Sequence, residues 1–553
     1  MLASSVAMLI FIPMRFHCGL LVFFAVACFA SAQNKPAAQA PDREAYKQAV
    51  LRKDARERVD ALRKFLKDFP KSSRADAANE LILKTLAQNW PDQTGEIRDQ
   101  VRLMLRNVHG DDKIDKFDTV ADILVTHGVL LETAEKLERQ ALNQFHEKRY
   151  LAKLKREYVE AKVPVSEREL QRVSDETRAD LFTTMGRIYV ARGNAQMGEN
   201  FLQQAYKLDP ANSAAPAALG EIALHAGRDA DALELLMSAQ LNGALAPEQR
   251  QDLQNVYQKI HAGSGDGLEA WLDQMYRRKF PEAIHVDPYP APAASGKTVL
   301  AELFTGADCG PCAGFDVAMD AAMERYPKRD MAVLMYHEHI PQPDPLTNPS
   351  TVQRLSFYDV RGTPTLAIDG ETITGGGKRE AAPGIYQRFS PKIEADLKAS
   401  PEMSLTLSAS RQGDRITAQV RVEPPAHAAK TLRLEIVLAE KQVRYSGESG
   451  IRFHPMVVRA MAGMEGDGYA IDSSGTKTYD ASFDVSQISA GLKSYLDSFE
   501  AANDRFGPVH FSEKKYLIDI GNVAVIAFVQ DSETKRVLQA AYMEPDASGP
   551  PAH

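Results

Sequence analysis

At 553 residues the chain exceeds a single ordinary core, and its length fits about three or four domains. Its composition, 44% hydrophobic and 25% charged, belongs to folded soluble chains and excludes a fibrous or wholly disordered protein. The formal charge is −8 and no basic run or basic–aromatic stripe occurs, which excludes nucleic acid as a partner.

Taken in chain order, residues 1–32 read as a secretory signal peptide. Arg15 precedes the apolar run Gly19 to Phe29, and Ala30-Ser31-Ala32 is a small-x-small cleavage site; Met14 is an alternative start. The run is too short for a comfortable membrane span. Lipid attachment at Cys28 is the lesser alternative, because Ala25-Val26-Ala27 before it lacks the leucine such sites use. The expected location is therefore the periplasm or cell envelope, soluble or peripherally attached. The chain has four cysteines, Cys18, Cys28, Cys309 and Cys312, and cleavage after residue 32 leaves only the last two. A structural disulfide framework needs more cysteines at wider spacing, so a lone close pair in an oxidising compartment points to redox chemistry.

Residues 33–42 are a Pro/Ala-rich flexible leader, and residues 43–280 are patterned as helices throughout. Val59, Leu62, Phe65, Leu66 and Phe69 recur at helical spacing, with Pro70 as the stop. Gly186, Gly193, Leu202 and Ala205 return 34 residues later as Gly220, Gly227, Leu236 and Ala239, and Phe182, Tyr189 and Pro210 accompany the first copy. These segments resemble tetratricopeptide repeats. The resemblance implies stacked helix pairs with a concave surface for a protein partner; a helical spacer or dimerisation arm is the alternative.

Residues 281–296 form a Pro-rich linker, and from 297 to 398 strand and helix alternate in an α/β pattern. Strands are expected at Lys297–Thr305 and Met331–Tyr336, and helices at Cys312–Tyr326, Val352–Val360 and 380–398. A hairpin is expected to turn at Asp369-Gly370. From 402 to 545 the period becomes two: Leu405, Leu407 and Ala409, then Ile416, Ala418, Val420 and Val422, then Leu432, Leu434, Ile436 and Leu438. This predicts an all-β sandwich with one helix near 485–502 inserted and a disordered tail at 546–553.

The chemistry sits at Cys309-Gly310-Pro311-Cys312. Exchange needs a thiolate near neutral pH, and a helix N-terminus lowers a thiol's pKa through its unpaired N–H groups and dipole. Phe304 ends a strand, a turn follows, and Pro311 suits the first helical turn, where its missing N–H is tolerated. Cys309 is thereby the attacking sulfur and Cys312 the resolving one.

With Gly362-Thr363-Pro364-Thr365 ahead of a hairpin, the motif resembles thioredoxins. The resemblance covers about 100 residues, 297–398, and implies a Cys309–Cys312 disulfide, a cis Pro364 against the pair, and Thr363 holding an extended substrate by its backbone, with Gly310 and Pro311 beside it. It implies a protein-disulfide oxidoreductase acting on protein thiols and disulfides, without a cofactor.

Three positions depart from the family, one of them Ala313 in place of the usual basic residue after the motif. Asp308 replaces the usual tryptophan and should oppose thiolate formation. Glu302 is the nearest candidate for the family's buried acid, yet sits one residue further from the motif, so a proton relay and an ordinary exposed strand residue are both open. The segments Glu302–Gly306, His454–Arg459 and Ala527–Asp531 are also similar to bacterial outer-membrane-associated proteins that join a thioredoxin-like domain to a β-sandwich. Two other classes compete. His337 and His339 could join the cysteines in a metal site like that of copper-delivery proteins. Alternatively the helices and sandwich form an envelope scaffold in which the redox centre is secondary.

Overall fold

The computed structural model describes residues 41–547 apart from 107, 161–164, 244, 291–295, 426–428, 464–467, 472–474 and 503–508. The signal segment, Cys18, Cys28, the leader up to residue 40, part of the linker and the tail from 548 lie outside the described residues. The chain divides into two compact units. One runs to Leu272 and takes in Ala501–Val509; the other comprises Asp273–Glu500 and the chain from His510.

The first unit is helical, as the spacing predicts. The apolar stripe of helix Ala55–Asp68 buries Val59, Leu62 and Phe65 against Ile82, Leu83 and Leu86 of helix Ala75–Asn89, and this core continues to Ile188. Each such side chain withdrawn from water contributes about 1.5–3 kcal/mol. The 34-residue recurrence has a packing counterpart. A Cβ on Gly186 would lie 2.7 Å from Leu202 Cγ, and one on Gly220 would lie 2.7 Å from Leu236 Cγ. The same close approach thus joins helix Glu167–Ala191 to Ala195–Leu208, and Ala214–His225 to Asp229–Asn242. Among the described residues no helix is long and apolar enough to cross a membrane.

The second unit is built on a mixed sheet. Its strands are β1 (Val299–Thr305), β2 (Met331–His337), β3 (Thr365–Ile368), β4 (Glu371–Thr374), β5 (Ser404–Gln412), β6 (Arg415–Glu423), β7 (Leu432–Arg444), β8 (Phe453–Ala462), β9 (Tyr469–Ala470), β10 (Lys477–Asp484), β11 (Val523–Asp531), β12 (Val537–Met543) and β13 (Asp546–Ala547). The large sheet runs β12-β11-β7-β8-β2-β1-β3-β4, with β9 on β7; a smaller one runs β10-β6-β5-β13. β1 pairs in parallel with β2 and antiparallel with β3, which turns at Asp369-Gly370 into β4 as expected. Every residue of β1 and β2 is buried, as continuous apolar runs in central strands require.

The residues expected as two domains, 297–398 and 402–545, share this large sheet. β8 pairs with β7 and also lies parallel to β2 through Met335 and Val457. Asn348 pins the seam by donating from Nδ2 to the Val458 carbonyl at 2.8 Å. β7 serves two cores: Leu434, Ile436 and Leu438 pack with Ile416, Ala418 and Val420 of the smaller sheet, while Val437 and Ala439 join the core of β1 and β2. A sandwich therefore exists, but one of its layers is continuous with the sheet that carries the cysteines. β8 and β10 had no strand expectation; Pro455 interrupts the alternating pattern in β8, a residue that normally argues against an interior strand.

Candidate redox site

Phe304 and Thr305 end β1, and the chain turns through Gly306–Asp308 into a short 3-10 turn, Gly310–Cys312, that leads into the motif helix Ala313–Arg325. Cys309 and Cys312 are at disulfide-bonding distance. The helix is held by packing rather than by a side-chain cap: Phe315, Ala318, Met319 and Ala322 are buried. The peptide between Thr363 and Pro364 is cis. It brings Thr363 to the pair, with its carbonyl oxygen 3.9 Å and its Oγ1 3.5 Å from Cys309 Sγ. On the far side of the motif, Gly377 N–H donates to the Pro311 carbonyl at 2.9 Å. The disulfide-bonded pair is thus enclosed by the Gly306–Asp308 turn, the cis-proline loop and the 376–378 segment, and Cys309 is only 1% exposed, Cys312 0%.

The fourth side is held by Asp344. Its Oδ2 accepts the Ala307 N–H at 2.6 Å and a hydrogen bond from His337 Nδ1 at 2.9 Å, and Oδ1 accepts the Leu346 N–H. Burial works to raise its pKa, but the His337 ring and these donors outweigh that and hold its carboxyl below the ordinary range. The loop 338–348 therefore carries a buried carboxylate that fixes the turn before Cys309.

Glu302 is not the ordinary exposed strand residue that its position left open. It is 0% exposed, and its side chain lies on the face of β1 shared with Phe304, opposite the face of Thr305 that meets the motif helix. Arg354 of helix Pro349–Phe357 grips it with Nε at 2.7 Å and Nη2 at 2.9 Å, while Tyr336 and Tyr358 hydroxyls donate at 3.0 and 2.6 Å. Gln530 of β11 accepts from Arg354 at 2.7 Å and donates to the Tyr358 hydroxyl at 2.8 Å. Such a saturated ion pair ties β1, β11 and the helix Pro349–Phe357 together.

The acid on the cysteine side is Asp316, which was not among the sequence candidates. It follows Cys312 by one helical turn, is 3% exposed, and accepts a hydrogen bond from Thr305 Oγ1 at 2.8 Å. Burial pushes its carboxyl up to about 7, against the opposing effects of the Thr305 hydroxyl, His337 and Arg379. The i, i+4 spacing to Cys312 was visible in the chain, but nothing local distinguishes a buried helical aspartate from an exposed one.

Asp308 is half-buried, and its Oδ1 accepts the Glu448 N–H at 2.8 Å. Burial, reinforced by the Glu448 and Asp344 carboxylates, holds its pKa well above the ordinary carboxylate range. His337 and His339 do not converge on the cysteines. His337 bonds Asp344 and its ring meets His454 edge-on at 4.9 Å; His339 stacks on Phe499 at 3.7 Å and accepts the Asp344 N–H at Nδ1. Among the described residues no group of three or more His, Cys, Asp or Glu side chains is placed to hold a metal ion.

No protein-family model matches the chain, and the search of curated proteins returned no match.

Proposed function

We propose that the protein is a thiol–disulfide oxidoreductase of the thioredoxin-like kind that exchanges disulfides with protein substrates outside the cytoplasm. The observation that carries this reading is the Cys309–Cys312 pair at the mouth of a helix, after a parallel strand and against the cis Thr363–Pro364 peptide. The arrangement of β1 to β4, with the motif helix following β1 and a hairpin after the cis proline, supports the thioredoxin resemblance. The signal-like segment at 1–32 and the absence of other cysteines from the rest of the chain support the location.

In the reducing direction, the Cys309 thiolate attacks one sulfur of a partner disulfide. A Cys309–partner mixed disulfide forms and the partner's other sulfur leaves as a thiolate. Cys312, once deprotonated, attacks the Cys309 sulfur, forming the Cys309–Cys312 disulfide and releasing the second partner sulfur. The partner gains two electrons and two protons; the protein loses them. Asp316 is the buried base nearest Cys312 along the motif helix, and the oxidising direction runs the same steps in reverse. The helix pairs of the first unit, read as tetratricopeptide-like, supply a surface for a protein partner.

The test is a Cys312→Ser variant, which arrests the cycle at the mixed disulfide. Recovery of Cys309-linked envelope proteins on non-reducing gels is the expected result. If nothing is captured, and a glutathione redox titration of the wild type shows no reversible two-thiol couple, the oxidoreductase reading fails and the scaffold reading takes its place.

A further inference from the structure

Exchange requires an in-line approach to the Cys309 sulfur, so a cysteine that is 1% exposed in its bond to Cys312 belongs to a closed site. Of the walls around it, the cis-proline loop continues directly into β3. The 338–348 loop is pinned by the buried Asp344 hydrogen bonds, and the 376–378 segment by main-chain bonds to Pro311 and Gly314. The segment packed on the turn that leads into Cys309 is different. Residues 446–451 join β7 to β8, and this strap touches the chain just before Cys309 through the Glu448 N–H on Asp308 Oδ1 and the Ser449 N–H on the Ala307 carbonyl at 3.0 Å. Arg379 adds a bond to the Gly450 carbonyl at 3.1 Å. Glu448 is exposed and Ser449 and Gly450 are half-exposed, so water can replace these partners when the strap lifts.

The base of the strap is firm. Tyr445 N–H donates to the Arg452 carbonyl at 3.0 Å, and the buried Asp273 carboxylate binds both Arg444 and Arg452 at 2.7 Å. Its contact with the motif depends on one residue without a side chain. A Cβ on Gly447 would fall 2.4 Å from the Ala307 carbonyl oxygen and 2.5 Å from Asp308 Oδ1. The Gly447 backbone does not need the left-handed region, so the missing Cβ serves the close approach.

We infer that the 446–451 strap is an access gate for Cys309, seated through Gly447, and that it determines which partners reach the dithiol. Small thiols enter by transient opening, whereas a protein-sized partner must displace the strap and occupy its place beside Asp308. This inference rests on the proposed redox role of the pair, but its test reads access alone.

The full-length protein is reduced, and the rate of Cys309 alkylation is measured with iodoacetamide and with a maleimide carrying a large polymer. Wild type is compared with Gly447→Ala and, as an independent perturbation, Ser449→Pro, which removes the N–H on Ala307. Both variants should react about tenfold faster or more, with the larger gain for the bulky reagent, while far-ultraviolet circular dichroism stays that of the wild type. Unchanged rates in both variants would overturn the gate, as would a wild-type Cys309 that already reacts as fast as an unfolded cysteine. Neither result bears on whether the pair exchanges with proteins, which the Cys312→Ser trap decides.

Discussion

The two faces of β1 carry the most instructive contrast in the molecule. Glu302 points to one face and, through Thr305, the other face meets Asp316; both carboxyls are buried. Glu302 is surrounded by donors, a guanidinium and two phenols. Asp316 receives a hydroxyl hydrogen bond from Thr305, while His337 and Arg379 act on it electrostatically, and burial prevails, which leaves it titrating at about 7. Burial raises a carboxyl's pKa where the partners of its charged form do not offset it, as at Asp316.

The comparison breaks most visibly at Arg354. Arg354→Met strands Glu302 without its cation, and the expected loss is up to about 5 kcal/mol in urea unfolding of the full-length protein. The double variant Glu302→Leu with Arg354→Met should recover most of that loss, because replacing a whole buried ion pair by apolar groups is close to neutral. A single variant as stable as wild type would show that Arg354 does not hold Glu302.

Asp316→Asn probes the other face through pH. An unfolded aspartate titrates near the ordinary value of 3.8, and the folded one at about 7. Below about pH 4 both states hold the proton. Between the two values the unfolded chain releases it and the folded chain keeps it, so stability falls as pH rises and stays reduced above the folded value. The fall is on the order of 4 kcal/mol, and it should vanish in Asp316→Asn, where nothing titrates. Parallel stability–pH curves for wild type and variant would remove Asp316 as the proton carrier. The groups facing it (Thr305, His337, Arg379, Asp344 and the neighbouring Asp320) are common to both proteins.

Much of this architecture was readable along the chain, and the exceptions share a cause. The helical half, the strands β1 to β3, the Asp369-Gly370 turn and the helix 485–502 follow from period and turn chemistry, which are local. The union of β2 with β8 is not local: it joins Met335 to Val457 across more than a hundred residues, and Pro455 disguises the partner strand. The site divides in the same way. Cys309, Cys312, Thr363 and Pro364 announce themselves by spacing. By contrast, which carboxyl faces the motif helix depends on which helix covers which face of β1, and Arg354 reaches Glu302, and Gln530 reaches Arg354, from distant segments.

Smaller changes sharpen the contrast. Tyr358→Phe removes the 2.6 Å donor to Glu302 Oε2 and should cost about 2 kcal/mol, because the bond is to a charged acceptor. Thermal unfolding of the full-length protein checks it, and a variant as stable as wild type would show that the phenol does not hold Glu302.

The smallest effect is expected at Thr305→Val, an isosteric change on the Asp316 side. The hydroxyl bond at 2.8 Å favours the charged carboxylate, so its loss should raise the Asp316 pKa further. A bond worth about 1 kcal/mol corresponds to somewhat less than one pH unit. The window in which stability falls should then extend to higher pH by that amount, with little change below pH 4, where Asp316 is protonated in both states. If the redox cycle draws on Asp316, the pH midpoint for resolution of the mixed disulfide moves upward in step. A midpoint that stays put while the stability window shifts would separate the two roles: Asp316 would be a buried acid that costs stability, and another group would take the proton from Cys312.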